Sequence, residues 1–320
     1  MLLSTIYIFL LVVVINFFTT AQTIEAKKNY TIVIRGGAGI ISRDMPDSIK
    51  NDYLKSLEQA LSIGLEMLKK GKTSIDVVEE VVKYLEDDPK FNAGKGAVFN
   101  SEGKHELDAS IMDGRDLSCG AVAGVKTIKN PISLAKLVMK ETPHLLLVGE
   151  GAEKFAKVMG VDVVPNEYFD TPLRYEQWQK STSKEFKGTV GCVALDIYDN
   201  LAAATSTGGV TNKMPGRVGD SPSIGAGTYA DNSTCAVSCT GKGELFIKHN
   251  VAFNISALMK YKNYSLKLAA EEMIHKIIPA GNGGLIAVDK NGNYAMVFNT
   301  SGMFRAVANS EGVFEVKIWE

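Results

Sequence analysis

Residues 188–209 read GTVGCVALDIYDNLAAATSTGG, and residues 210–243 continue VTNKMPGRVGDSPSIGAGTYADNSTCAVSCTGKG. Two β-rich runs, Thr189 to Asp196 and Leu201 to Ser206, flank Tyr198-Asp199-Asn200, the composition of a hairpin turn. Ten of the chain's 30 glycines fall between Gly188 and Gly243, so this segment needs bare backbone where another group comes close. Standing alone, Thr189 reads as a β-branched strand residue. Cleavage of the Gly188-Thr189 bond would change that, because an amino-terminal threonine carries a nucleophile and a base together. A free α-amine titrates at about 7.7 to 8.0 and accepts the hydroxyl proton without a histidine.

Outward from this hairpin, the chain reads in blocks of strands and helices. Tyr30 to Ile34 is a short strand that runs into Gly36-Gly37-Ala38-Gly39, expected as a tight turn. Leu54, Leu57, Leu61, Leu65 and Leu68 recur at spacings of three and four, predicting an amphipathic helix over Asp47 to Lys70 that Gly71 closes. Thr73 or Ser74 caps a second helix through about Leu85. Strands follow at Glu106 to Met112 and Cys119 to Val125, then helices from Pro131, over Gly149 to Val158 and over Glu167 to Lys180. Ser181 to Lys187 is polar, aperiodic and expected to be exposed. Beyond the hairpin come a strand at Ala236 to Cys239, helices over Glu244 to Tyr261 and Ser265 to Ile278, and a β meander from Gly283 that turns at Lys290-Asn291-Gly292. That order favours a layered α+β sandwich over a wound parallel sheet.

The chain has 320 residues and 35 basic against 36 acidic side chains, a balance that argues against a nucleic-acid partner. Its four cysteines contain no CxxC and are expected as free buried thiols. Ile6 to Phe18 (IYIFLLVVVINFF) is too short for a comfortable membrane span and is followed by small residues. Residues 1–26 are therefore read as a secretory signal cut after Ala21 or Ala26, which gives an exported protein, periplasmic or secreted, with no membrane attachment after removal; an uncleaved anchor is the alternative, since no Lys or Arg precedes the run. Export would also make the sequons at Asn29, Asn232, Asn254, Asn263 and Asn299 relevant in a glycosylating host.

Other chemistries find little footing. The Gly36-Gly37-Ala38-Gly39 run lacks a following Gly-Lys-Ser/Thr, His105, His144, His249 and His275 show no metal spacing, and no GxSxG elbow is present. His105 reads as a structural hydrogen-bonding residue.

Several long motifs occur in order: GGAG at Gly36 to Gly39, FNAGKGAVF at Phe91 to Phe99, HELDASIMDG at His105 to Gly114, GEGAEKFA at Gly149 to Ala156, GTVG at Gly188 to Gly191, ATSTGG at Ala204 to Gly209, TNKMPGRVGDSP at Thr211 to Pro222, IGAGTYA at Ile224 to Ala230 and SCTGKGE at Ser238 to Glu244. Together they resemble the plant-type asparaginase and isoaspartyl peptidase family of amino-terminal-nucleophile hydrolases, from about Thr31 to the carboxyl terminus. The sibling glycosylasparaginase branch typically opens its nucleophile strand with Asp-Thr-Ile-Gly, so activity on glycan-linked asparagine is the alternative within the same chemistry. A non-catalytic secreted binding protein on the same fold is the alternative outside it.

The resemblance implies a four-layer αββα sandwich and a precursor that cuts itself between Gly188 and Thr189, giving an α subunit of residues 27–188 and a β subunit of residues 189–320, paired as a dimer of αβ units. Its substrates would be small molecules, L-asparagine and β-aspartyl dipeptides. Thr189 would be the nucleophile, and Thr207 would orient it. Arg217 would hold the substrate α-carboxylate and Asp220 its α-ammonium. Thr240 and Gly241 would form the oxyanion hole, with Gly243 lining the pocket. Catalysis would need no cofactor. Asn92, taken with the catalytic set, lies in a loop whose counterpart wraps a structural sodium ion in backbone carbonyls; here those would come from Leu85, Glu86, Asp88, Phe91, Ala93 and Lys95. One departure stands out: relatives often carry His before GGAG, and this chain has Arg35.

Overall fold

The computed structural model describes residues 29–180 and 188–320. The expected signal segment and the polar stretch from Ser181 to Lys187 lie outside the described residues. In chain order the elements are β1 (Thr31–Gly39), α1 (Asp47–Lys69), α2 (Ser74–Asp87), β2 (Leu107–Asp113), β3 (Cys119–Val125), α3 (Pro131–Glu141), β4 (Leu146–Val148), α4 (Gly149–Val158) and α5 (Pro172–Gln179). The second half adds β5 (Val190–Leu195), β6 (Leu201–Thr207), β7 (Thr228–Ala230), β8 (Cys235–Gly241), α6 (Gly243–Lys248), α7 (Val251–Lys262), α8 (Leu266–Glu271), β9 (Gly283–Asp289), β10 (Tyr294–Phe298), β11 (Gly302–Asn309) and β12 (Phe314–Lys317).

An eight-stranded sheet in the order β12-β11-β1-β5-β6-β2-β3-β4 faces a four-stranded sheet in the order β10-β9-β8-β7. Side chains alternate across a strand, and here each face meets a different core. On the central strands, Ile32, Ile34, Cys192 and Ala194 pack with Leu57, Leu61, Val78 and Val81 of the α1–α2 pair. Val33, Val193 and Leu195 instead meet Ala236, Ile286 and Val288 of the smaller sheet. The outer face of that sheet carries Val237 and Leu285 against Phe246, Ile255 and Ile274. Three apolar interfaces thus separate four layers, αββα. Because both faces of the large sheet are covered, β5 reads VGCVAL with every residue buried. Each fully buried Leu, such as Leu57 or Leu61, contributes roughly 1.5 to 3 kcal/mol through removal from water.

The central hairpin is pinned by a carboxylate that the sequence reading passed over. Asp196 Oδ1 accepts the Tyr198 and Asn200 N–H groups at 2.9 and 3.0 Å, closing the turn between β5 and β6. Its Oδ2 accepts the Ser74 N–H at 2.7 Å, placing negative charge on the orphan amides that open α2. All four cysteines are buried free thiols, and His105 is buried with its ring nitrogens against the Val98 carbonyl and Asp170, in keeping with a structural role.

Four local expectations are corrected. The GGAG run is no turn: β1 continues through Gly39, with a bulge between Arg35 and Gly37 that lets the strand keep pairing with β11. The expected helix from Glu244 breaks between α6 and α7, where Asn250 takes a left-handed conformation at φ 43°. The expected Glu167 helix is a 3-10 turn over Asn166–Phe169 followed by α5, whose start Pro172 fixes and whose Arg174 N–H bonds the Thr171 hydroxyl at 3.3 Å. The closing meander divides between sheets, β9 and β10 in the smaller and β11 and β12 in the larger, because β11 pairs with β1.

Candidate active site

The hairpin register sets the first contact. Val190 pairs with Ser206, so Thr189, just ahead of β5, meets Thr207 at the end of β6. Their hydroxyl oxygens lie 3.0 Å apart and both residues are buried. The Thr207 hydroxyl also accepts the Gly209 N–H at 3.0 Å, which fixes its orientation. Asn92 reaches this corner rather than Thr189: its Nδ2 donates to the Gly209 carbonyl at 2.7 Å, its Oδ1 accepts the Val98 N–H at 3.0 Å, and its own carbonyl accepts the Gly208 N–H at 3.2 Å. It braces the end of β6.

The bulge in β1 explains the GGAG motif. A Cβ on Gly37 would stand 2.5 Å from the Gly188 Cα and 3.0 Å from the Thr189 nitrogen. Gly37 has φ 114°, a conformation open to glycine and strained for other residues. The strand therefore presses its backbone against the Gly188-Thr189 peptide.

The loop between β6 and β7 brings in Arg217 and Asp220. Arg217 lies against Glu244 at the start of α6, with Nε and Nη2 donating to one carboxylate oxygen at 3.1 and 3.0 Å. Burial pushes Glu244 upward, but a backbone N–H and the Arg217 charge hold it below the usual carboxylate range. Asp220 is buried, and burial raises it from 3.8 to about 6 against the opposing charges of Arg35 and Arg217. Gly243 makes room for both side chains, since a Cβ there would lie 2.9 Å from Asp220 Oδ1 and 3.0 Å from Arg217 Nη2.

Thr240 and Gly241 end β8, and Gly241, with φ 150°, has backbone neighbours at Asn282 and Gly283 that leave no room for a Cβ. Two buried polar atoms of this region lack a hydrogen-bond partner among the described residues: Asp220 Oδ2 and Thr240 Oγ1. Buried polar atoms are normally satisfied, so an unpaired carboxylate oxygen and an unpaired hydroxyl mark positions that a ligand completes. The fold brings Thr189, Thr207, Arg217, Asp220, Thr240 and Gly243 to one region, and adds Glu244 and Ser238, to which the sequence assigns no role. A charged residue directly after the SCTGKG glycines was the only local signal for Glu244.

The carbonyl loop near Asn92 fits a hard cation in its donor chemistry. A Cβ on Gly94 would collide with the Glu86 carbonyl, and one on Gly96 with those of Phe91 and Pro89, so these oxygens crowd toward bare glycines. Leu85 and Glu86 lie in the last turn of α2, where carbonyls lack intrahelical partners. The Asp88, Phe91 and Ala93 carbonyls each already accept one N–H, leaving a second lone pair. The Lys95 side chain reaches away to the Tyr168 carbonyl. Among the described residues no group of three or more His, Cys, Asp or Glu is placed to hold a metal.

An αββα sandwich with a threonine ready to open its central strand defines the amino-terminal-nucleophile class of hydrolases. The chain belongs to the asparaginase family within it: the family model described as Asparaginase matches residues 28–318. It is 50% identical over 293 residues to the isoaspartyl peptidase of Escherichia coli strain K12, covering 86% of this chain and 91% of that protein. It is 44% identical over 288 residues to the isoaspartyl peptidase/L-asparaginase of Homo sapiens, covering 87% and 92%. Catalysis in this family needs no cofactor.

Proposed function

We propose that this protein hydrolyses the side-chain amide of L-asparagine and the isopeptide bond of β-aspartyl dipeptides, after cutting itself before Thr189. The observation that carries the reading is the pairing of the Thr189 hydroxyl, 3.0 Å from Thr207, with two unpartnered buried groups, Asp220 Oδ2 and Thr240 Oγ1. The names of the relatives support the substrate class.

In the precursor, the Thr189 hydroxyl oxygen attacks the Gly188 carbonyl carbon and the C–N bond breaks, moving the acyl group from nitrogen to oxygen. Water then hydrolyses the ester, freeing the Gly188 carboxylate and the Thr189 α-amine and hydroxyl. In the mature site Arg217 takes the substrate α-carboxylate in exchange for Glu244, and ionised Asp220 takes the α-ammonium. The α-amine of Thr189 removes its hydroxyl proton as the oxygen attacks the side-chain carbonyl. The Thr240 hydroxyl and the Gly241 N–H face the developing oxyanion, a donor type worth roughly 3 kcal/mol each. Collapse expels ammonia or an amino acid, which takes the proton, and water resolves the acyl-enzyme to release aspartate.

Residues 27–188 form the α subunit and residues 189–320 the β subunit. A dimer of αβ units is the assembly that the family resemblance supports. A sodium ion held by the carbonyls of Leu85, Glu86, Asp88, Phe91, Ala93 and Lys95 would tie the end of α2 to the Asn92 brace. The apolar run of residues 6–18 supports export to the periplasm or cell exterior with loss of residues 1–26.

A denaturing gel with intact-mass analysis tests the reading. Wild-type protein is expected as two fragments, the smaller beginning at Thr189, whereas Thr189→Ala stays whole and inactive on both substrates. Wild-type protein that stays whole on prolonged incubation and releases neither ammonia nor an amino acid sinks the proposal. The same mass spectrum reads the mature amino terminus.

A further inference from the structure

We propose that Arg35 is a positioning residue for this hydrolysis: its buried positive charge keeps Asp220 ionised and the Thr189 amine unprotonated, while its N–H groups lock the nucleophile strand to the strand that carries Thr240. The inference rests on the functional reading above and concerns a side chain to which that mechanism gives no part.

Arg35 is fully buried on β1. Its Nη1 donates to the Thr189 carbonyl, its Nη2 to the Cys239 carbonyl and to the Ser238 hydroxyl at 3.0 Å, and its Nε to the Ser238 carbonyl at 3.2 Å. One guanidinium thus joins three strands from two sheets: β1, the start of β5, and β8 one residue ahead of Thr240. Gly191 is bare to admit the Arg35–Ser238 contact, since a Cβ there would lie 2.2 Å from Ser238 Oγ and 3.0 Å from Arg35 Nη2.

All four acceptors are neutral. Burying a cation without a carboxylate on its own hydrogen bonds is unfavourable, so packing alone gives no reason for it. Burial pulls the group down only to about 10, and it stays charged at neutral pH. Its field falls on Asp220, the carboxylate among its electrostatic neighbours. Asp220 is faced also by Arg217 from its own loop and Glu244 from α6, and of these charges Arg35 opposes the effect of burial most strongly. Cys239 on β8 is held neutral, its thiol pushed well up by burial. The Thr189 amine belongs to the residue whose carbonyl the guanidinium holds, and a nearby cation disfavours an ammonium there. From Arg35 a hydroxyl chain continues through Ser238, Thr205 at 2.6 Å, Thr228 at 2.6 Å and Ser110 at 2.8 Å to the carbonyl of Ser221, the neighbour of Asp220.

The test compares self-cleaved wild type with Arg35→Lys, Arg35→His and Arg35→Met, reading kcat/KM for a β-aspartyl dipeptide against pH. The acid limb of the wild type is expected near pH 6, where Asp220 gains its proton. In the His and Met variants the limb moves upward by at least about one pH unit, and KM rises at neutral pH. Lys keeps the charge but not the bridge, so its limb stays while kcat falls. If Arg35→Met does not fold, the His and Lys variants decide. A folded variant that stays uncut has lost the clamp on the nucleophile and supports the proposal. A limb that stays unmoved in the folded, cut His or Met variant, with only a uniform fall in kcat, overturns it. Wild-type protein that neither cuts itself nor hydrolyses substrate overturns the functional reading instead.

Discussion

Arg217 and Asp220 stand three residues apart on one loop, yet their surroundings differ. Arg217 is held by Glu244, so on the proposed mechanism an incoming α-carboxylate would replace one anion with another and keep the guanidinium paired throughout. Asp220 keeps an unpaired oxygen in a buried setting, and on the same mechanism it would gain its partner only when an ammonium arrives. Arg217→Ala is therefore expected to lower kcat/KM by roughly 10- to 100-fold on both substrates, mostly through KM, in line with a hydrogen bond to a charged group. Self-cleavage, which needs neither ligand, should proceed at the wild-type rate, and steady-state kinetics beside a timed gel check both halves. Thr189, Arg217, Asp220 and Thr240 stand on short glycine-rich motifs, and the resemblance of those motifs to the family's is what singled them out in the sequence. Arg35 was noticed only as a departure. Its contacts with Ser238 and Cys239 span more than 200 positions, and no local pattern encodes a hydrogen bond made across two sheets.

At the scale of elements, the β-rich runs and the leucine spacing of α1 predicted well, since a buried strand or an amphipathic helix shows itself in its own residues. The GGAG run misled because glycines signal turns locally, whereas here they serve a neighbour. β1 is bulged so that Gly37 meets Gly188 with no side chain between them. Gly37→Ala would add a Cβ at φ 114° and drive it into the Gly188-Thr189 peptide, the proposed site of the cut. A displacement of that bond by about 1 Å is enough to slow its chemistry roughly 100-fold, so the precursor is expected to persist on a timed gel. Gly160→Ala is the matched control, with φ 70° but open space around the Cβ, and should cut at the wild-type rate. Equal cleavage in both variants would show that the β1 bulge has no part in setting the scissile bond.

For the whole molecule, the strand order decides what one cut does. Along the large sheet, β12 and β11 come from after Thr189, β1 from before it, β5 and β6 from after it, and β2, β3 and β4 from before it. Parting the fragments would tear the β11–β1, β1–β5 and β6–β2 ladders and open a core that holds Leu57 and Val81 of one fragment against Cys192 and Ala194 of the other. On the proposed cut, such interleaving would keep the two fragments in one cooperative fold whose only severed link is the chain. The cleaved wild type is therefore expected to elute as a single native species containing both fragments and to unfold in one thermal transition, with a Tm within a few degrees of uncut Thr189→Ala. Light scattering on the same column reads whether that species holds one αβ unit or two. Fragments that separate without denaturant, or two resolved unfolding transitions, would contradict the shared core, because neither fragment alone retains a partner for every face of its strands.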